Sequence, residues 1–118
     1  MTDLASADFG IRQLMARFAD AVWRQDADDF AACFAEDGQW KIAGMDMSGR
    51  EAIREGCNKL LPRCEWIHLL VGQPQIQADG DEVTGRLSMT ELAKMPDGSG
   101  WMTIGFYHDR YVNAGGQW

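Results

Sequence analysis

The sequence predicts an α+β fold: helices first, then a strongly curved antiparallel sheet, with a pocket between them. Three observations predict it. Apolar residues recur at helical spacing in the first half. From Glu65 onward the period changes to two. The second half is punctuated by turn sequences at Ala78-Asp79-Gly80-Asp81, Pro96-Asp97-Gly98-Ser99-Gly100 and Ala114-Gly115-Gly116. Helices that precede a meander of strands pack on one face of the sheet, which gives a cone-shaped α+β unit. The open end of such a cone is a natural small-molecule cavity. With 118 residues the chain is expected to form one domain, residues 1–118.

Taken in order, Asp8 is placed to cap a first helix that runs to about Gln25, with Ile11, Leu14, Met15, Phe18 and Val22 forming its apolar stripe. Asp20 falls opposite that stripe and reads as a solvated surface charge, while Trp23 lies at the stripe's edge. Asp26 caps a short second helix whose buried face is Phe30, Cys33 and Phe34, and Asp37-Gly38 ends it. Gln39 to Ala43 alternates, with Trp40 and Ile42 on one side, as a short strand does; Met45 to Gly49 reads as a turn. A third helix follows from about Arg50 to Leu61, directing Ile53, Cys57, Leu60 and Leu61 inward, with Pro62 just past its end. Trp66 to Gln77 is a strand bent near Gly72 and Pro74, Glu82 to Lys94 the next, and Trp101 to Asn113 the third. Gln117-Trp118 begins a further strand, so the final strand of the sheet is expected to be missing.

Composition narrows the function classes. Hydrophobic residues make up 46% and charged residues 25%, the balance of a chain with a core of its own. The net charge of −7, with no basic run interleaved with aromatics, disfavours nucleic acid and anionic membrane surfaces as partners. Three cysteines, Cys33, Cys57 and Cys64, without a C-x-x-C pair, fit a reducing, cytoplasmic setting better than a disulfide framework. The polar N-terminus holds no signal core, and no apolar run is long enough to span a membrane.

Two histidines and no cysteine cluster match no usual metal-ligand spacing, and neither a nucleophile elbow nor a phosphate-binding glycine loop is present, so neither a metal nor another cofactor is expected. His68 is the leading candidate for chemistry. It lies among apolar neighbours in Trp66-Ile67-His68-Leu69-Leu70 and shares a face with Trp66 and Leu70. An imidazole there serves as acid or base near neutrality, or else is a hydrogen-bonded core group. In Phe106-Tyr107-His108-Asp109-Arg110-Tyr111, the residues Tyr107, Asp109 and Tyr111 share one face and His108 and Arg110 the other. One face is suited to line a pocket, and the other to be exposed or to meet a second subunit.

Several stretches together resemble the SnoaL-like branch of the nuclear transport factor 2-like superfamily. They are Leu14-Met15-Ala16-Arg17-Phe18-Ala19-Asp20-Ala21, Asp26, Phe34 to Trp40, Gly49-Arg50-Glu51-Ala52-Ile53, Trp66-Ile67-His68-Leu69, Asp79-Gly80-Asp81, and Tyr107 to Tyr111 before Gly115-Gly116-Gln117-Trp118. The resemblance covers nearly the whole chain. It implies a curved sheet with three helices, a deep apolar pocket and a homodimer packed through the sheets. It also implies the chemistry of polyketide cyclases, dehydratases, a dehydrochlorinase or an isomerase, all without a cofactor. In the dehydratase and dehydrochlorinase members a His–Asp dyad works; the His matches His68, but the Asp falls at Trp23, which cannot orient an imidazole as a carboxylate does. Asp109 is the alternative acid. The isomerase's tyrosine and aspartate fall at Phe18 and Ile42, which do not support that reaction.

Two functions follow as expectations. In the first, His68 removes a proton from a small, largely apolar substrate in an elimination, cyclisation or isomerisation. In the second, the chain is a non-catalytic module that holds a flat hydrophobic ligand. Phe18, Trp23, Trp40, Trp66 and Tyr107 are the expected lining in either case. A Trp23 stacked on His68, with no carboxylate in reach, favours the second.

Overall fold

A computed structural model describes residues 2–118. Helix α1 (Leu4–Arg24) starts one turn before the position expected from Asp8. Asp3 is the cap: its carboxylate accepts from the Ala5 N–H at 3.0 Å and the Ser6 hydroxyl at 2.9 Å. That satisfies an otherwise unpaired first-turn donor, and the Ala-rich segment after it carries no helix-breaking residue. Asp8 instead sits inside the helix, paired with Arg12 one turn on at 2.6 Å. Ala7, Ile11, Met15, Phe18 and Val22 are the buried stripe, and Gln25 ends the helix in a left-handed conformation. Asp26 caps α2 (Ala27–Ala32) by accepting from the Asp29 N–H at 2.9 Å.

The segment read as a turn at Met45 to Gly49 is a strand. β1 (Gln39–Ile42) and β2 (Met45–Ser48) form a hairpin in which Trp40 faces Met47 and Ile42 faces Met45. The turn lies earlier, at Ala43 and Gly44, both at positive φ as a tight two-residue hairpin requires. Helix α3 (Arg50–Leu60) and a short 3₁₀ turn (Leu61–Arg63) follow.

The long bent strand expected from Trp66 to Gln77 is two strands, β3 (Trp66–Val71) and β4 (Gln75–Asp79). The break falls at Gly72 to Pro74, where Pro74 has no N–H for the ladder and a side chain at Gly72 would overlap Ser88. β5 (Glu82–Lys94) pairs antiparallel with β3 and β4 along one margin and with β6 (Gly100–Tyr111) along the other. The sheet stays open at β6, which among the described residues pairs with β5 alone. Gln117 forms only an isolated bridge to Ala114, and the Trp118 ring packs on Gly10 of α1.

The faces of the sheet follow period two. Ile67 and Leu69 of β3, Val83, Leu87, Met89 and Ala93 of β5, and Tyr111 of β6 turn inward and are buried with the helix stripes. Phe30, Ile11, Ile53 and Cys57 lie at the centre of that core. Trp66, His68 and Leu70 turn outward on β3, as do Met102, Ile104 and Phe106 on β6. No helix among the described residues is long and apolar enough to cross a membrane.

Candidate functional site

α1 and β3 frame an open hollow of about 420 Å³, lined by Ala19, Asp20, Trp23, His68 and Leu69. Helical spacing puts Asp20 and Trp23 on one side of α1, three residues apart. Among the described residues β3 is an edge strand paired with β5 alone, so its other margin faces α1. The Trp23 and His68 rings meet edge to face, with centroids 5.5 Å apart and planes at 73°. His68 is exposed, and among the described residues no group hydrogen-bonds its imidazole, so its nitrogens are free for a ligand. The expectation of a pocket containing His68 thus becomes a shallow hollow with Trp23 as its wall.

Asp20, read from the sequence as a solvated charge, is indeed exposed, yet it lines the same hollow. The overlooked signal was its three-residue spacing from Trp23. Its carboxylate accepts from Arg24 at 2.8 Å. Arg24 also holds Asp26 at 3.0 Å and Asp29 at 2.5 Å, and Arg17 donates to Asp29 at 3.0 Å. Those two guanidinium hydrogen bonds hold the Asp29 carboxyl below the usual range. On the far side of Arg24 a second, polar hollow of about 390 Å³ is lined by Arg24, Gln25, Asp26, Ala27, Asp28, Arg54 and Asn58.

The other expected site residues lie elsewhere. Phe18, Trp40 and Tyr107 belong to an aromatic cluster with Phe30 and Phe34. Phe18 stands 4.8 Å from Phe30 and 6.1 Å from Tyr107, and Trp40 is 4.8 Å from Phe30. They fill the core under the sheet rather than line the hollow. Trp66 shares the outward face of β3 with His68 and is 38% exposed.

Asp109 does not reach His68. The rung through His68 and Leu92 meets β6 at Met102, and Asp109 lies seven residues further along, on the opposite face. At the strand rise that is about 24 Å. Asp109 is half-buried opposite Gly85 and accepts from the Tyr111 hydroxyl at 3.1 Å. Burial raises its carboxyl, and the Tyr111 hydrogen bond partly opposes the shift. Burial also raises Tyr107 and Tyr111, which keeps both phenols protonated. The cysteines are poor nucleophiles for the same reason, Cys57 being pushed up to about 12. Among the described residues no group of three or more His, Cys, Asp or Glu side chains is arranged to hold a metal ion.

The SnoaL-like domain matches residues 5–118, and the chain belongs to that family. No curated protein matches the sequence significantly. Among solved structures, a Mycobacterium tuberculosis protein of unknown function, Rv3472, is 30% identical, with a TM-score of 0.83 over 93% of this chain and 69% of that one. A scytalone dehydratase candidate from Novosphingobium aromaticivorans is 18% identical, with a TM-score of 0.83 over 92% of this chain and 75% of its own. The hexachlorocyclohexane dehydrochlorinase LinA, in its type 2 form, is 20% identical, with a TM-score of 0.85 over 98% of this chain and 80% of its own. The last two likenesses are likenesses of fold.

Proposed function

We propose that this SnoaL-like chain binds a small, largely apolar molecule in the hollow between α1 and β3, and that His68 transfers a proton there without a cofactor. In an elimination, a His68 nitrogen takes a proton from carbon, the C–H electron pair becomes the new double bond, and a leaving group such as halide departs. Trp23, Ala19 and Leu69 supply apolar surface that positions the substrate and sheds water. The observation that carries this reading is the exposed, unpartnered imidazole of His68 at the wall of the hollow. The fold likeness to a dehydrochlorinase supports it. The test is chloride release from hexachlorocyclohexane, with His68→Ala as the comparison. Turnover by the parent chain that falls at least a hundredfold in the variant agrees with a general base; equal rates contradict one.

A second reading is favoured by one specific contact. The Trp23 ring stands against His68 where a carboxylate would be needed to orient it. In that reading the hollow holds a flat hydrophobic ligand and performs no reaction. Saturable binding of the neutral fluorophore N-phenyl-1-naphthylamine, with quenching of tryptophan emission and no turnover, would support it.

The partner proposed for the outer sheet face is a second copy of the chain. Leu70, Met102, Ile104 and Phe106 are 50 to 70% exposed on that face. They present roughly 450 Å² of apolar side chain, more than half of one partner's share of a standard interface. A reducing, cytoplasmic compartment is proposed with it, a reading supported by three free thiols.

A further inference from the structure

We infer that the open part of the inward sheet face, around Glu91 and Trp101, is a second binding site, which takes a small organic cation of the quaternary ammonium class. It stands apart from the hollow at His68, which lies on the outward face, and it does not depend on that hollow being functional.

The strand register assembles the site. Between β5 and β6 the pairs Ala93–Trp101, Glu91–Thr103 and Met89–Gly105 follow one another on the same face. Met89 and Ala93 are buried, which makes that face the inward one. The helices leave part of it uncovered, because α1 packs on β3 and β4, at the other margin of the sheet. Trp101 is therefore 42% exposed although it points inward, and Thr103 beside it is exposed as well. Gly105 has room above it: a side-chain carbon placed there would meet, among the described residues, only the Met89 sulfur at 3.7 Å. A glycine inside a strand leaves space for a ligand to approach the backbone.

The charge on this face has one sign. Among the described residues of β3 to β6, the inward face carries two formally charged side chains, Glu91 and Asp109, and both are carboxylates. Glu91 accepts from the Trp101 indole N–H at 2.9 Å, a neutral donor that leaves its charge uncompensated. The nearest lysine along the strand, Lys94, turns outward and pairs with Glu65 at 3.4 Å. Burial raises the Tyr107 phenol and the Cys64 thiol, and the Glu91 charge adds to both shifts, so its field extends across the inward face. An uncompensated carboxylate beside apolar walls draws a cation. The hydrogen bond from Trp101 holds a half-exposed indole next to that carboxylate. An alkylated ammonium suits the pair: its methyl groups lie against the aromatic ring while its charge meets Glu91. A hard metal ion asks for several oxygen ligands, and a single carboxylate does not provide them.

The test is a titration of the ¹⁵N-labelled chain with choline chloride, with sodium chloride withdrawn in step to hold ionic strength constant. The Trp101 indole and Gly105 amide resonances are expected to shift saturably, with a Kd on the order of millimolar. The neutral isostere 3,3-dimethyl-1-butanol, of the same shape, is expected to bind at least about tenfold more weakly. Glu91→Gln keeps an oxygen for the Trp101 indole and removes the charge, and is expected to weaken choline about tenfold. Equal binding of choline and its isostere overturns the inference, as does a choline shift that stays linear to roughly a hundred times a millimolar Kd. An affinity unchanged in Glu91→Gln overturns it too. The comparison of the two probes uses the parent chain alone, so the inference stays refutable even if the variant misfolds.

Discussion

Trp23→Ala removes the wall of the hollow, and its cost can be worked from the fold. Trp23 is 53% exposed. Roughly half of a tryptophan's ~240 Å² is therefore covered in the folded chain. At about 25 cal/mol per Å² that covered area corresponds to at most about 3 kcal/mol. The unfolded chain already buries part of this surface, and the alanine methyl keeps some of it, leaving a loss of about 1.5–2 kcal/mol. For 118 residues the unfolding entropy near the midpoint is roughly 250 cal/mol/K, so the Tm is expected to fall by about 6–8 °C. Differential scanning calorimetry measures this. Affinity for N-phenyl-1-naphthylamine is expected to drop about tenfold, as the loss of one aromatic contact implies. The contact of the Trp23 ring with His68 is also lost, so carbethoxylation of His68 by diethyl pyrocarbonate quickens. A variant with unchanged Tm, unchanged probe affinity and unchanged His68 reactivity would show that Trp23 does not pack where the hollow requires.

Three further outcomes are expected. Ile104→Glu, placed in the exposed apolar face of β6, should convert a dimer to a monomer in sedimentation at micromolar concentration; a parent chain that is already monomeric there contradicts the dimer. Phe30→Ala, at 1% exposure amid Phe18, Phe34 and Trp40, should cost about 3–5 kcal/mol in denaturant unfolding, and a loss under about 1 kcal/mol would refute its central place in the core. Asp109 has a raised carboxyl, so between its unfolded and folded values the folded state binds more protons, and its contribution to stability is lost as pH rises through that window. Asp109→Asn keeps an oxygen for the Tyr111 hydroxyl and should flatten that loss; an unfolding profile between pH 4 and 7 that matches the parent's would refute it.

Much of the architecture was legible in the sequence because it rests on periodicity. The α1 stripe from Ile11 to Val22, the Asp26 cap, and the alternation of β5 and β6 all lie where their patterns put them. The misplaced elements depend on signals that periodicity does not carry. Asp3 and Asp8 are both competent caps, and local hydrogen bonding chose Asp3. β2 was hidden because an alanine, Ala43, adopts positive φ beside Gly44 and turns the chain earlier than the Met45 to Gly49 segment suggests. Alternation did group Asp109 with Tyr107 and Tyr111 on one face, but a face says nothing of position along a strand, and the β5 to β6 register carries Asp109 far from His68. Asp20 was overlooked for a similar reason. Judged against the apolar stripe it is a surface charge, but the hollow lies on the flank of α1 that it shares with Trp23.

The most direct test of the hollow as the functional site is a titration of the ¹⁵N-labelled chain with N-phenyl-1-naphthylamine, followed by amide and indole chemical shifts. Saturable changes concentrated at Ala19, Asp20, the Trp23 indole, His68 and Leu69 are the predicted result. Changes centred instead on Met102, Ile104 and Phe106, with those five residues unmoved, would contradict it.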